Sequence, residues 1–231
     1  MYSDGLWIRR IPKGITILTF MLKAVIFDLD GLLVDSTKLQ IQADQEFIKS
    51  FGKIFLPGGG REGMRIIDIT REYKDVYDLP GSAEDLYAKR QQIFFGLARK
   101  YLQLFNGVMP LLNKLQERKL KIALATSGDR EYVKLVFEKF PQLTDYFSVV
   151  VSSEDVARGK PNPDVYKKAL EKLKIKSDEA VVLEDSVNGI TAAKLAGIQV
   201  ICIPNRFYPE ADYSQADKIF SSLGQVYTAI P

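Results

Sequence analysis

Two aspartates one residue apart, Asp28 and Asp30, stand where an apolar run meets a glycine, in Ala24-Val25-Ile26-Phe27-Asp28-Leu29-Asp30-Gly31. Residues i and i+2 of a strand point to the same side, so both carboxylates leave the strand end together. Buried carboxylates without a partner are costly, and a divalent cation is the natural partner. The pair therefore offers a nucleophile, a proton donor and part of a metal site. A second acidic pair, Glu184-Asp185, closes another apolar run, Ala180-Val181-Val182-Leu183. Two such strand ends can build one site for a hard cation. Magnesium suits oxygen ligands of this kind, because it keeps several waters and binds through one or two carboxylates plus a substrate phosphate.

Two further pieces carry phosphate chemistry. Thr126-Ser127-Gly128 directly follows the apolar residues 122–125. A hydroxyl and turn N–H groups placed there can bind phosphate oxygens. Lys160 lies in Arg158-Gly159-Lys160-Pro161-Asn162-Pro163. A lysine held there can neutralise both a nucleophilic carboxylate and a phosphate.

These residues need a scaffold, and the chain supplies an alternating one. Apolar runs at 22–27, 121–126, 147–151, 180–184 and 199–203 read as buried strands. Amphipathic stretches at 110–118, 130–140, 163–173 and 187–196 read as helices, the last stopped by Gly197. Alternation of this kind implies an α/β fold with a doubly wound, Rossmann-like parallel sheet. The first strand is cut off from the others by a charged segment that reads as helical at 37–51, 62–76 and 82–105. Pro57-Gly58-Gly59-Gly60 and Leu79-Pro80-Gly81 punctuate it. The expected organisation is an N-terminal extension (1–20), an α/β core (21–36 and 108–231) and a small inserted helical cap (37–107). Ligands bind at the carboxyl ends of the strands in open α/β sheets, so the insert would overhang the site.

Composition narrows the chemistry. The chain has 231 residues, and no histidine, which excludes a Ser-His-Asp or Cys-His mechanism and any histidine-ligated metal. Its net charge of +3 is too balanced to argue for nucleic acid or a membrane surface as partner. A single cysteine, Cys202, excludes an intrachain disulfide and fits a cytoplasmic protein. The apolar stretch within 1–20 is too short for a membrane span and no small-residue cleavage site follows it, so it reads as a dispensable extension.

The order and spacing of Asp28-Leu29-Asp30-Gly31, Thr126, Lys160 and Glu184-Asp185 resemble the four motifs of the haloacid dehalogenase-like superfamily. The similarity covers residues 21–203 and lies with the phosphatase and phosphomutase branch. Dehalogenases of that superfamily lack the aspartate matched by Asp30, so the resemblance implies phosphoryl transfer. It also implies a four-helix cap. Asp28 would be the nucleophile, Asp30 the acid–base group, and Lys160 and Thr126 the phosphoryl holders. Magnesium would be held by Asp28, the backbone carbonyl of Asp30 and Asp185, with Glu184 binding directly or through water.

The expected function is a magnesium-dependent phosphatase acting on a small phosphorylated metabolite, a sugar phosphate above all, as a monomer or else a dimer. The first alternative is a β-phosphoglucomutase-like mutase. In those mutases a histidine early in the first cap helix gates the acid–base aspartate; the matching residue here is Gln40, and a cap lysine falls on Gln91. The second alternative is a catalytically silent phosphate-binding module, against which the intact nucleophile argues.

Structural readings apply elsewhere. Asp35 pins a turn, Ser186 caps a helix, and Asn188-Gly189 is a packing or turn feature. Arg61, after the glycines, either reaches the distal part of the substrate or is a solvated loop residue. Lys89 and Arg90 read as a charged helix face. Phe94, Phe95, Tyr101 and Phe105 read as the core of the cap.

Overall fold

The computed structural model describes residues 22–229, so the readings made for 1–20 lie outside the described residues. Apolar alternation builds a sheet buried on both sides. Strand β1 (Ala24–Phe27) is central, with β2 (Lys121–Ala125) and β3 (Val149–Val151) on one side. On its other side lie β4 (Ala180–Glu184), β5 (Gln199–Cys202) and β6 (Lys218–Ile219), giving the order β3-β2-β1-β4-β5-β6. Every described strand pairing is parallel.

The period of two sorts the side chains. Val25, Phe27, Leu124 and Leu183 face helices α4 (Val108–Glu117), α5 (Arg130–Lys139) and α8 (Leu223–Ala229). Ala24, Ile26, Ala123 and Val182 face α6 (Asp164–Leu173) and α7 (Val187–Leu195) on the opposite side. Helices on both faces make this a doubly wound α/β fold, as expected. The sheet order reverses at β1, which pairs with both β2 and β4. A crevice opens at the carboxyl ends of strands at such a reversal.

Between β1 and α4 the chain forms α1 (Thr37–Lys49), α2 (Ile66–Tyr77) and α3 (Ala83–Tyr101). The four-helix type implied by the resemblance is therefore not what the described residues show. The segment Pro57-Gly58-Gly59-Gly60 carries no helix, as expected of consecutive glycines behind a proline. A small cluster of Phe47, Ile48, Ile69, Tyr73, Leu79 and Leu86 holds these helices together.

Two expectations for α3 are corrected. Phe94 and Phe95 do not sit in that small cluster; they join the main core beside Tyr132, while Tyr101 is half exposed. Arg90 is not a charged face but fully buried. Its Nε donates to Asp44 on α1 at 2.9 Å, its terminal nitrogens donate to Gln91 Oε1 and the Gln40 carbonyl, and Phe94 lies beneath it. A heptad-like spacing does not distinguish a charge that faces water from one that faces a partner on the neighbouring helix. No helix among the described residues is long and apolar enough to cross a membrane.

Removing one partner of a buried ion pair strands the other, at a cost of about 3–5 kcal/mol. Arg90→Ala is expected to lose stability of that order in denaturant titration. The double variant Arg90→Met, Asp44→Asn is expected to lose clearly less than the sum of its parts.

Candidate active site

Parallel pairing puts Phe27 level with Leu124 and Leu183, so the residues that follow these three converge. Asp28 follows β1, Thr126 follows β2, and Glu184 ends β4. Lys160, just before α6, is fully buried among them. Its Nζ donates to Asp28 Oδ1 at 2.5 Å, to Glu184 Oε1 at 2.6 Å and to the Ala125 carbonyl at 3.3 Å. Burial works against the ammonium, but Asp28 and Glu184 outweigh it and hold Lys160 well above the usual lysine range.

Glu184 is saturated by the protein. Oε1 accepts from Lys160 and Tyr166; Oε2 accepts from the N–H groups of Asp185 and Ser186 and from the Ser186 hydroxyl. Burial pushes Glu184 up, yet Lys160 and these donors bring it below the ordinary glutamate value. Ser186 also accepts from Gly189 N and so caps α7.

Asp185 has a different environment. Its Oδ2 accepts from Asn205 Nδ2 at 2.6 Å, and burial together with Glu184 and Asp28 drives its carboxyl well above the usual range. Burial likewise pushes Asp28 up to about 8, against the pull of Lys160. Carboxylate oxygens of Asp28, Glu184 and Asp185 lie within 4.8 Å of one another. One ammonium is too little positive charge for this cluster, which fits a divalent cation. Since Glu184 has its donors, Asp28 and Asp185 are the carboxylates left to ligate. Gly31, at φ +75°, makes room: a Cβ there would stand 1.9 Å from Asp185 Oδ2.

Asp30 points into a separate set of donors. The Ser36 hydroxyl reaches its Oδ1 at 2.5 Å and Tyr132 Oη reaches the same oxygen at 2.8 Å. Burial raises the Asp30 carboxyl, while Ser36, Tyr132 and Gln40 pull it back. Its side chain is thus held by these donors, outside the cluster of Asp28, Glu184 and Asp185.

The remaining motif residues are placed less simply. Thr126 is buried and its Oγ1 accepts from Gly128 N at 2.9 Å, leaving its own hydroxyl proton to donate. Ser127 donates to the Gly63 carbonyl at 2.5 Å rather than standing free for phosphate. Asp28, Asp30, Asp185, Ser127 and Gly128 line one cavity of about 350 Å³, and Arg61, Gln40 and Gln91 line it from the inserted helices and the 57–65 loop. Arg61 is not a free loop residue: its Nε donates to Glu72 at 2.8 Å and it lies over the Tyr73 ring.

Sequence reasoning missed Tyr132, Asn205 and Asn188. Tyr132 is an ordinary core aromatic by its spacing on α5, and only the fold turns its hydroxyl to Asp30. Asn205 follows β5 in a loop and bridges Asp185 to Thr37. Asn188, expected to be a packing or turn feature, holds the Gly60 and Glu62 carbonyls through its Nδ2 at 2.9 Å each. Asp35, expected to pin the turn, instead pairs through Oδ2 with the distant Arg206 at 2.6 Å.

Known proteins resolve the family. A family model described as haloacid dehalogenase-like hydrolase matches residues 25–203. The chain belongs to this family. It is 32% identical over 206 residues to a Drosophila melanogaster protein named "Probable pseudouridine-5'-phosphatase", covering 86% of this chain and 88% of that one. A phosphorylated carbohydrates phosphatase of Thermotoga maritima is 32% identical over 188 residues, or 78% of this chain and 84% of its own. Among solved structures, CbbY from Rhodobacter sphaeroides in complex with phosphate superposes with a TM-score of 0.80 at 26% identity, covering 89% of this chain and 96% of the other.

Gly189 offers a test of the packing around Glu184. It lies within α7, where alanine is ordinarily better by about 1 kcal/mol. Here a Cβ would stand 1.8 Å from Glu184 Oε1. Gly189→Ala is therefore expected to destabilise, by about 1–3 kcal/mol as overpacked interiors do, in denaturant unfolding. A gain in stability would contradict the placement of Glu184.

Proposed function

We propose that the chain, a phosphoric monoester hydrolase of this family, is a magnesium-dependent phosphatase. In this reading it hydrolyses a small phosphomonoester, a sugar phosphate above all, through an aspartyl-phosphate on Asp28. One observation carries it: Asp28 opens into the cavity while touching a buried Lys160 and lying beside Asp185. The names of the Drosophila and Thermotoga relatives agree with phosphomonoester hydrolysis.

Asp28, Asp185 and the backbone carbonyl of Asp30 would hold the magnesium, with Glu184 acting through Lys160. When bound, the ion offsets charge on the transferring phosphoryl group and favours the ionised form of Asp28. The Asp28 oxygen attacks phosphorus in line, and the bond to the leaving oxygen breaks as the new one forms. Lys160 and the Thr126 hydroxyl hold phosphoryl oxygens. Asp30, whose carboxyl burial shifts upward and which Ser36 and Tyr132 orient, gives a proton to the leaving oxygen. It then takes one from the water that cleaves the acyl phosphate. Residues 37–107 serve as a cap on a core of 21–36 and 108–231. Its 57–65 loop is held on the core by Ser127, Asn188 and the bond from Arg65 to the Ala157 carbonyl, and this excludes bulk water. The buried thiol of Cys202 suits a reducing compartment, the cytoplasm.

Hydrolysis is favoured over mutase chemistry by Gln40. Its side chain stands beside Asp30, where the mutases carry a histidine, and its Oε1 is a buried acceptor without a hydrogen-bond partner among the described residues. A glutamine cannot gate by titration, and this oxygen can accept a hydrogen bond from the attacking water.

Asp28→Asn is expected to keep the circular dichroism of the native chain and to lose phosphate release by about 10⁴-fold or more. Chelation should abolish phosphate release and magnesium restore it, with Asp185→Ala requiring far more magnesium. On β-glucose 1-phosphate, free glucose and phosphate should outpace glucose 6-phosphate in coupled assays. Activity in excess chelator, or dominant glucose 6-phosphate, would overturn these assignments.

A further inference from the structure

The cavity wall supplied by the inserted residues carries both signs of charge, and each cation on it already has a partner. Arg61 is paired with Glu72 at 2.8 Å. Arg90 is paired with Asp44 at 2.9 Å, and Asp44 also accepts from Tyr73 Oη at 3.1 Å. Glu62 lines the same wall; its carboxylate accepts from Gly60 N, and no ion pair among the described residues neutralises it. Glu72 does not line the cavity, so the wall itself sets the guanidiniums of Arg61 and Arg90 against the carboxylates of Asp44 and Glu62, and the pairing of Arg61 with Glu72 leaves the charge of Glu62 in excess.

We infer that the substrate is the monophosphate of a neutral cyclic alcohol, and that the site selects against a second phosphate because Glu72 neutralises the Arg61 guanidinium and Glu62 leaves the wall negative. This deepens the phosphatase reading above and rests on it. A second phosphate would meet an Arg61 whose charge is already shared with Glu72 through Nε, while facing the carboxylates of Glu62 and Asp44. A neutral leaving group meets no such opposition. Its hydroxyl or N–H donors find acceptors in Glu62 and Asp44. Its ring finds flat and apolar surfaces in Phe55, Tyr73, Phe94, Tyr208, Met64 and Ile69, which line the same cavity. Aromatic faces of this kind accept the C–H face of a sugar and the plane of a base alike. A cavity of about 350 Å³ is large enough for a ring as well as a phosphate.

Matched pairs that differ only in the second phosphate decide the matter. They are ribose 5-phosphate with ribose 1,5-bisphosphate, and uridine 5′-monophosphate with uridine 3′,5′-bisphosphate. Binding to Asp28→Asn, with magnesium present, is read by calorimetry, and phosphate release by the unsubstituted chain gives kcat/KM for the same compounds. In at least one pair the monophosphate is expected to bind about tenfold more tightly or better, a margin typical of one unfavourable charge; which pair shows it identifies a sugar or a nucleoside source. Glu72→Gln should shift the ratio towards the bisphosphate by about fivefold, since it frees Arg61. Bisphosphates bound as tightly in both pairs, binding of neither compound in either pair, or a ratio unmoved by Glu72→Gln would overturn the inference. Selective binding without phosphate release would instead overturn the hydrolytic reading and leave the charge selection standing.

Discussion

A single buried ammonium organises the strand ends. Lys160 Nζ reaches Asp28 after β1, the Ala125 carbonyl at the end of β2 and Glu184 at the end of β4. Charge transferred from water to an interior is costly, and it persists only where geometry and hydrogen bonds compensate. Here they do for Glu184, whose two oxygens accept five hydrogen bonds. They do not for Asp185, which meets Asn205 and two like charges. This asymmetry separates the carboxylates by task. Glu184 positions the lysine, whereas Asp28 and Asp185 remain short of a cation.

The 57–65 loop reaches the core mainly through its backbone, whereas α3 reaches Asp129 through the side chains of Tyr87 and Gln91. Ser127, Asn188 and Arg65 bind carbonyls rather than side chains across the join. Gly63 lies so close to Ser186 that a Cβ would stand 2.4 Å from its hydroxyl. Close approach of a glycine loop lets the cavity close over Asp28 without a dedicated pairing motif. Burial is the first cause of the raised carboxyls at Asp28, Asp30 and Asp185.

The fold was largely legible, because strands buried on both faces read as apolar runs and each motif sits where such a run ends. The boundaries moved little: β2 stops at Ala125 and β3 begins only at Val149. The two-residue β6 and the short α8 were missed, since neither carries enough periodicity to register. The three inserted helices were legible in the residues at 37–51, 62–76 and 82–105, whereas the count of four came from family likeness alone. Arg90, Tyr132, Asn188 and Asn205 share one reason for being missed. Each acts across a tertiary contact, with sequence separations as wide as the 168 residues between Asn205 and Thr37, and its own neighbours say nothing of the partner. Arg61 was visible as a cavity cation, but its neutralisation by Glu72 belongs to the packing of α2.

The central claim is that Asp28, held by Lys160, carries the phosphoryl group. It is tested most directly with Asp30→Ala and p-nitrophenyl phosphate, whose leaving group departs without a proton. Attack then proceeds while water activation stalls, so the phosphoenzyme accumulates and can be caught by acid quench and peptide mass spectrometry. The phosphoryl group is expected on the peptide bearing Asp28, at close to one per chain, and absent from Asp28→Asn, Asp30→Ala. Steady phosphate release with no label on Asp28, or label on another residue, would contradict the account.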